Sequence, residues 1–222
     1  MRASLPCFAA MLAAALFVGC QTTESHKRLE TASVASRNTT YTGPKQRLVI
    51  GKFENRSPYL RGIFSDGVDR LGMQSEQIMK THLSQTNRFV LMDRANMDEI
   101  ARESKFAGQP QNITGGQYVL TGAVTEFGRK EVGSSGSIFG RTRHQVAHCK
   151  IQVSIVDVAT SQVVFSEQGA GEYDLGSGDV LGFGSSAGYD ATLNDKVLNL
   201  AAIEVVDKLV AAMESGAWNQ PQ

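Results

Sequence analysis

Charge of one sign is missing from this chain of 222 residues, which balances 22 Lys and Arg against 22 Asp and Glu at a pI near 6.9. A clustered basic surplus of the kind that neutralises a phosphate backbone is absent, so nucleic acid is not an expected partner. Cysteine is scarce as well. The three, at positions 7, 20 and 149, follow neither a paired disulfide framework nor any Cys/His zinc spacing. No nucleotide-binding motif stands out. What is there, 41% hydrophobic and 20% charged residues, suits one ordinary globular domain with appendages and excludes a collagen or a wholly disordered chain.

Two of the cysteines belong to the N-terminus. Arg2 gives a short positive region, and Phe8 to Val18 is an unbroken apolar run, long enough for the core of an export signal and too short to span a bilayer as a helix. It ends in Phe17-Val18-Gly19-Cys20, the form of a bacterial lipobox with Phe in place of the usual Leu. Residues 1–19 then read as a lipoprotein signal peptide and Cys20 as the acylated first residue of the mature chain. The other reading is a signal cut elsewhere, which leaves Cys20 a plain thiol. By its likeness to bacterial lipoproteins, Gln21 in the next position implies sorting to the outer membrane. Residues 20–46 are polar, rich in Ser and Thr and without apolar periodicity, which predicts a tether. Cys149 is expected to be a buried small apolar residue.

From Arg47 the pattern alternates between two periods. Arg47–Phe53 predicts a strand, and Val68, Leu71, Ser75, Ile78, Met79 and His82 define one helical face. Arg88–Met92 predicts a second strand, and Asp93 a cap for a helix over Arg94–Ser104 with Met97, Ile100 and Ala101 inward. Residues 105–116 predict a loop and Gln117–Phe127 a longer strand. His144–Phe165 predicts two strands turned at Ala159-Thr160-Ser161, with Ala147, Cys149, Ile151, Val153 and Ile155 on one face. Val197–Met213 predicts a packed or interface helix rather than a membrane span, because Glu204, Asp207 and Lys208 interrupt it. The expected fold class is an α/β domain of order β-α-β-α-β-β-β-α, its sheet flanked by helices, over residues 47–218, with a short tail at 219–222.

Glycine is unevenly spread: 11 of the 22 lie between Gly128 and Gly188. The stretches 128–150 and 166–189 predict two Gly-rich β-hairpins. In the second, Tyr173 and Leu175 alternate before a turn at Gly176-Ser177-Gly178-Asp179, and Leu181, Phe183, Ala187 and Tyr189 after it. Each arm has about the nine or ten residues that a tilted transmembrane strand needs. Val132 and Ile138 mark the thinner apolar face of the first. The same composition also fits flexible Gly/Ser surface loops or soluble β-extensions. A membrane reading demands a ring of subunits, since one chain cannot close a barrel from these strands.

Catalytic motifs fail on context. Gly184-Ser185-Ser186-Ala187-Gly188 matches a nucleophile elbow and nominates Ser186, yet the required histidine must lie downstream and the last one is His148. Gly182-Phe183-Gly184-Ser185-Ser186-Ala187 matches a dinucleotide fingerprint but opens no βαβ unit after the first strand. His144 and His148 sit on a predicted strand, where four residues span about 13 Å, too far for one metal. No enzyme, metal or cofactor is expected.

Taken together, the lipobox at Cys20, the strand, loop and helix of 47–83, Arg88-Phe89-Val90-Leu91-Met92-Asp93-Arg94, Gly116–Gly122, Val156–Val163 and Gly216-Ala217-Trp218 resemble the CsgG/HfaB family. These are outer-membrane lipoproteins that secrete curli subunits and related surface adhesins. The resemblance implies a periplasmic α/β domain assembling into a homo-oligomeric ring, with each subunit giving two hairpins to a shared barrel. Outer-membrane lipid, secreted unfolded subunits and periplasmic accessory proteins are the implied partners. It makes Val132, Ile138, Tyr173, Leu175, Leu181, Phe183 and Tyr189 membrane-facing candidates. The family's channel constriction lies between the first strand and first helix, here Tyr59 to Gly67, with Tyr59, Phe64 and Asp66 as candidates. Gly62 and Gly67 stand where the family has aromatics. A periplasmic scaffold or activator without a pore is the other function the resemblance allows.

Overall fold

A computed structural model describes residues 31–59, 67–137, 140–178 and 192–218, with the backbone alone for 131–145, 175–178 and 192–193. The elements are β1 (Gln46–Asn55), α1 (Arg70–Gln85), β2 (Phe89–Met92), α2 (Met97–Ala107), β3 (Tyr118–Ser137), β4 (Gly140–Asp157), β5 (Val163–Gly178) and α3 (Thr192–Glu214). The expected element order is therefore found. One five-stranded sheet has the order β2-β1-β3-β4-β5. β1 pairs parallel with β2 and β3, whereas β3–β4 and β4–β5 are antiparallel.

The core follows from period matching. β1 turns Gln46, Leu48 and Ile50 inward, and a register shift between Ile50 and Phe53 carries Phe53 and Asn55 to the buried side. α1 starts where Asp69 accepts a hydrogen bond from Gly72 N (2.8 Å), and it buries Leu71, Ser75, Met79, His82 and Leu83 at helical spacing. Val68 precedes the helix and is half exposed instead of sharing its face. α3 is apolar on most sides because it is covered on most sides: Val197, Leu198, Ala201, Ala202, Val205, Val206 and Leu209 are fully buried against the sheet and α1. Trp218 closes the end of the sheet where β3 begins, its ring 5.2 Å from Tyr118 and 6.1 Å from Phe165.

Three expectations are corrected. The second helix begins at Met97 rather than Arg94, because Asp93 accepts from Ala95 N (3.0 Å) and Asn96 N (3.3 Å) and so forms a turn ahead of the helix. Met97, Ile100 and Ala101 do not point into a core; α2 buries no residue and ends at Gly108, whose left-handed φ of 64° suits glycine. The polar stretch expected as a tether is partly packed. Val34 is 2% exposed and residues from Ala32 onward belong to the compact unit. A single buried valine carries no periodicity, which is why pattern alone left it in the tether. Among the described residues no helix is long and apolar enough to cross a membrane.

Candidate functional site

The loop between β1 and α1 is held at both ends. Asn55 Oδ1 accepts from Ser57 Oγ (2.6 Å) and Ser57 N (3.0 Å), while Asn55 Nδ2 donates to Tyr59 O (2.7 Å). Asp69 joins the far end: its Oδ2 accepts from Asn55 N (2.7 Å) and its Oδ1 from Gly72 N. This chain of bonds satisfies buried polar groups at the mouth of the loop and fixes where it leaves and re-enters the domain. Tyr59 is half-buried with its ring centroid 4.5 Å from that of Phe127 on β3. Phe64 and Asp66, the other constriction candidates, lie outside the described residues. Asn55, Ser57, Asp69 and Phe127 escaped sequence reasoning. The Asn-x-Ser spacing at 55–57, an Asx-turn pattern, was the available signal.

Beyond Phe127 β3 continues without a break. The expected strand over Gln117–Phe127 and the Gly-rich stretch after it are one strand, paired with β4 from Tyr118↔Asp157 to Ser137↔Gly140. β5 pairs with β4 out to Thr142↔Gly178, so the first arm of the second expected hairpin is a sheet strand and, among the described residues, the ribbon has three strands. Val132 lies opposite His144, and Leu175 opposite Gln145. Ile138, Leu181, Phe183, Tyr189 and the lipidation candidate Cys20 lie outside the described residues.

Tyr173 serves the domain: it packs against the core and Lys196 Nζ stands 4.8 Å over its ring. Gly169 and Gly171, on the same side of β5, face α3. A Cβ on Gly171 would meet Val197 O at 2.5 Å, and one on Gly169 would meet Val205 Cγ2 at 2.7 Å. These glycines let the helix lie against the strand backbone. As β5 runs from Gln168 to Tyr173 its partners on α3 run from Lys208 back to Lys196, so α3 is antiparallel to β5 and its N-terminal end points toward the ribbon.

The N-terminal segment lies along α3. Asn199 Nδ2 donates to Ala32 O (3.1 Å), and Ala35 N donates to Asp207 Oδ1 (2.9 Å). His82 Nε2 is 2.7 Å from Asn199 Oδ1, tying α1 into the same network. At the other end Arg88, 5% exposed, donates through Nε to Glu214 Oε1 (3.1 Å), through Nη1 to Thr86 O (2.8 Å) and Thr39 Oγ1 (3.3 Å), and lies 5.0 Å over the Tyr41 ring. The segment thus runs parallel to α3, with Ala32 at the ribbon end and Tyr41 at the opposite one.

The sheet face away from the helices is polar. Lys52, Glu54, Arg56, Thr121, Gln152 and Ser154 line a groove of about 350 Å³. Lys52 Nζ is 2.7 Å from Glu54 Oε1 and holds that carboxyl below its usual range, while Glu54 raises the lysine. Both groups are solvent-screened, so the pair shapes the surface more than it stabilises the fold. Cys149 is 1% exposed, and burial pushes its thiol up to about 12, which keeps it protonated and unreactive near neutral pH. His144 and His148 both fall on β4.

Comparison with known proteins places this geometry in a family. The model of the curli production assembly/transport component CsgG matches residues 30–222. A Neisseria meningitidis serogroup B protein provisionally named a lipoprotein is 50% identical over 208 residues, 93% of each chain. Solved structures are more distant. The PelC dodecamer of Paraburkholderia phytofirmans is 16% identical, covering 81% of this chain and 93% of its own, at a TM-score of 0.36. Lipoprotein GNA1162 of N. meningitidis is 14% identical, with 79% and 99% covered, at a TM-score of 0.36. Protein XCC0632 of Xanthomonas campestris is 13% identical, with 84% and 96% covered, at 0.47. By the family model and the Neisseria relative, this chain is a member of the CsgG family.

Proposed function

We propose that this chain is an outer-membrane lipoprotein, acylated at Cys20, whose ribbon joins those of other copies in a transmembrane β-barrel. The ring so formed is a nucleotide-independent secretion channel for unfolded curli-like or adhesin subunits, and it is not an enzyme. The observation that carries this reading is the length of the ladder beyond the packed domain. From Glu131 to Ser137, paired with Gln145 to Gly140, β3 extends about 23 Å at roughly 3.3 Å per residue, or about 18 Å of height at a barrel strand's tilt, most of the apolar band of a barrel. The direction of the N-terminal segment agrees with it. Ala32 lies at the ribbon end of α3, and residues 20–31 span at most about 40 Å when extended, so an acyl anchor and the ribbon reach the same membrane. Tyr59 at the root of the ribbon suits a constriction that passes an extended chain and stops a folded one. Transport is then diffusive or driven by capture of the subunit outside.

A charge on the lipid-facing side tests this. Val132→Arg, near the domain-side end of that band, should cost about 1–2 kcal/mol, which lowers the yield of detergent-belted oligomer about fivefold or more while circular dichroism of the α/β domain is kept. An unchanged yield counts against insertion. One observation favours a scaffold or activator instead: Phe106 is 84% exposed and Ile113 55%, apolar side chains that a partner protein would cover. Under that reading Phe106→Ser weakens partner capture and leaves membrane extraction unaltered.

A further inference from the structure

The outer edge of β5 is occupied by side chains. Gln168 and Ala170 turn a carbonyl and an amide away from β4, the groups that an added strand would use. Glu204 Oε2 accepts from Ala170 N at 2.6 Å, and Lys208 Nζ donates to Gln168 O at 2.7 Å. The two side chains hold each other, with Lys208 Nζ 2.9 Å from Glu204 Oε1, one helical turn apart. Both are less than half exposed at 43% and 42%, and the Ala170 amide is the largest cause of the lowered Glu204 pKa. Gly169 and Gly171 make the arrangement possible, since the helix must lie on the strand backbone for its side chains to reach round the edge.

We propose that Glu204 and Lys208 lock the edge of β5 at Gln168–Ala170 against strand addition by a second copy of this chain. An edge strand of this length is otherwise a template for unwanted pairing, and charged side chains on the edge backbone are an economical defence. Where the ribbon joins a barrel, which rests on the channel reading above, the lock sets the level on β5 below which no further strand pairs with it.

The test compares full-length wild type with the Glu204→Met/Lys208→Met variant, both extracted in mild detergent, by size-exclusion chromatography with light scattering. The variant is expected to place at least threefold more mass in species larger and more polydisperse than wild type, with its circular-dichroism spectrum retained. Adding Ala170→Pro, which removes the edge amide, is expected to restore the wild-type distribution. Identical distributions for wild type and the double variant overturn the lock. If the double variant loses its spectrum, Glu204→Met alone, which uncaps the Ala170 amide, is scored by the same criterion. A wild type that runs as a monomer beside a variant that associates would sink the channel and leave the lock standing; rings in both would do the reverse.

Discussion

Gly169→Val is expected to lower folding stability by about 3 kcal/mol, read as a thermal midpoint roughly 6–12 °C below wild type. The cost comes from backbone rather than from a movable side chain. A Cβ at 169 reaches Ala201 O and lies 3.0 Å from Val205 N, so the whole helix has to lift from the strand. Lifting it also loosens Val197, Ala201 and Val205, all fully buried. Gly115→Ala is the control, since a Cβ there meets nothing within 4 Å; it should change stability by less than about 0.5 kcal/mol. Equal midpoints for Gly169→Val and wild type would show that α3 does not pack as closely as described.

Arg88→Met is the second large effect, and it is more specific. The methionine fills the volume but abandons the Glu214, Thr86 and Thr39 bonds and the Tyr41 ring. Glu214, half exposed, can rehydrate, whereas the buried Thr86 carbonyl loses its partner. A loss of about 2–3 kcal/mol follows. The distinctive readout is local. Amide exchange over residues 34–41 should accelerate well beyond that over β3 and β4, because the segment lies on α3 and Arg88 holds it at this end. Uniform acceleration across the domain would mean that Arg88 stabilises the fold without holding the segment.

The sheet and its helices were legible because their residues repeat. Leu71, Ser75, Met79 and His82 share a face by spacing alone, and Ala147 to Ile155 alternate so regularly that the buried side of β4 follows from the sequence. What periodicity does not tell is what lies opposite a face. Gly169 and Gly171 alternate as a barrel wall would, but their neighbour is α3. Met97, Ile100 and Ala101 keep helical spacing on a helix that meets no other element. Gly128 looked like the end of a strand because glycine weakens strands, yet the His148 ring lies across it and the ladder continues. The base of the loop between β1 and α1 depends on Asn55 and Asp69 meeting across fourteen positions, a contact that no local pattern encodes. The N-terminal segment is held by bonds to α3, far away in sequence, and was read as free for that reason.

Electron microscopy of the full-length protein, extracted from outer membranes in mild detergent, tests the proposed channel most directly. Closed rings with a detergent-belted barrel and a central opening at the level of Tyr59 are the expected result. Monomers or dimers without a belt would contradict the channel, and would make the exposed surface around Phe106 the place to look for a partner.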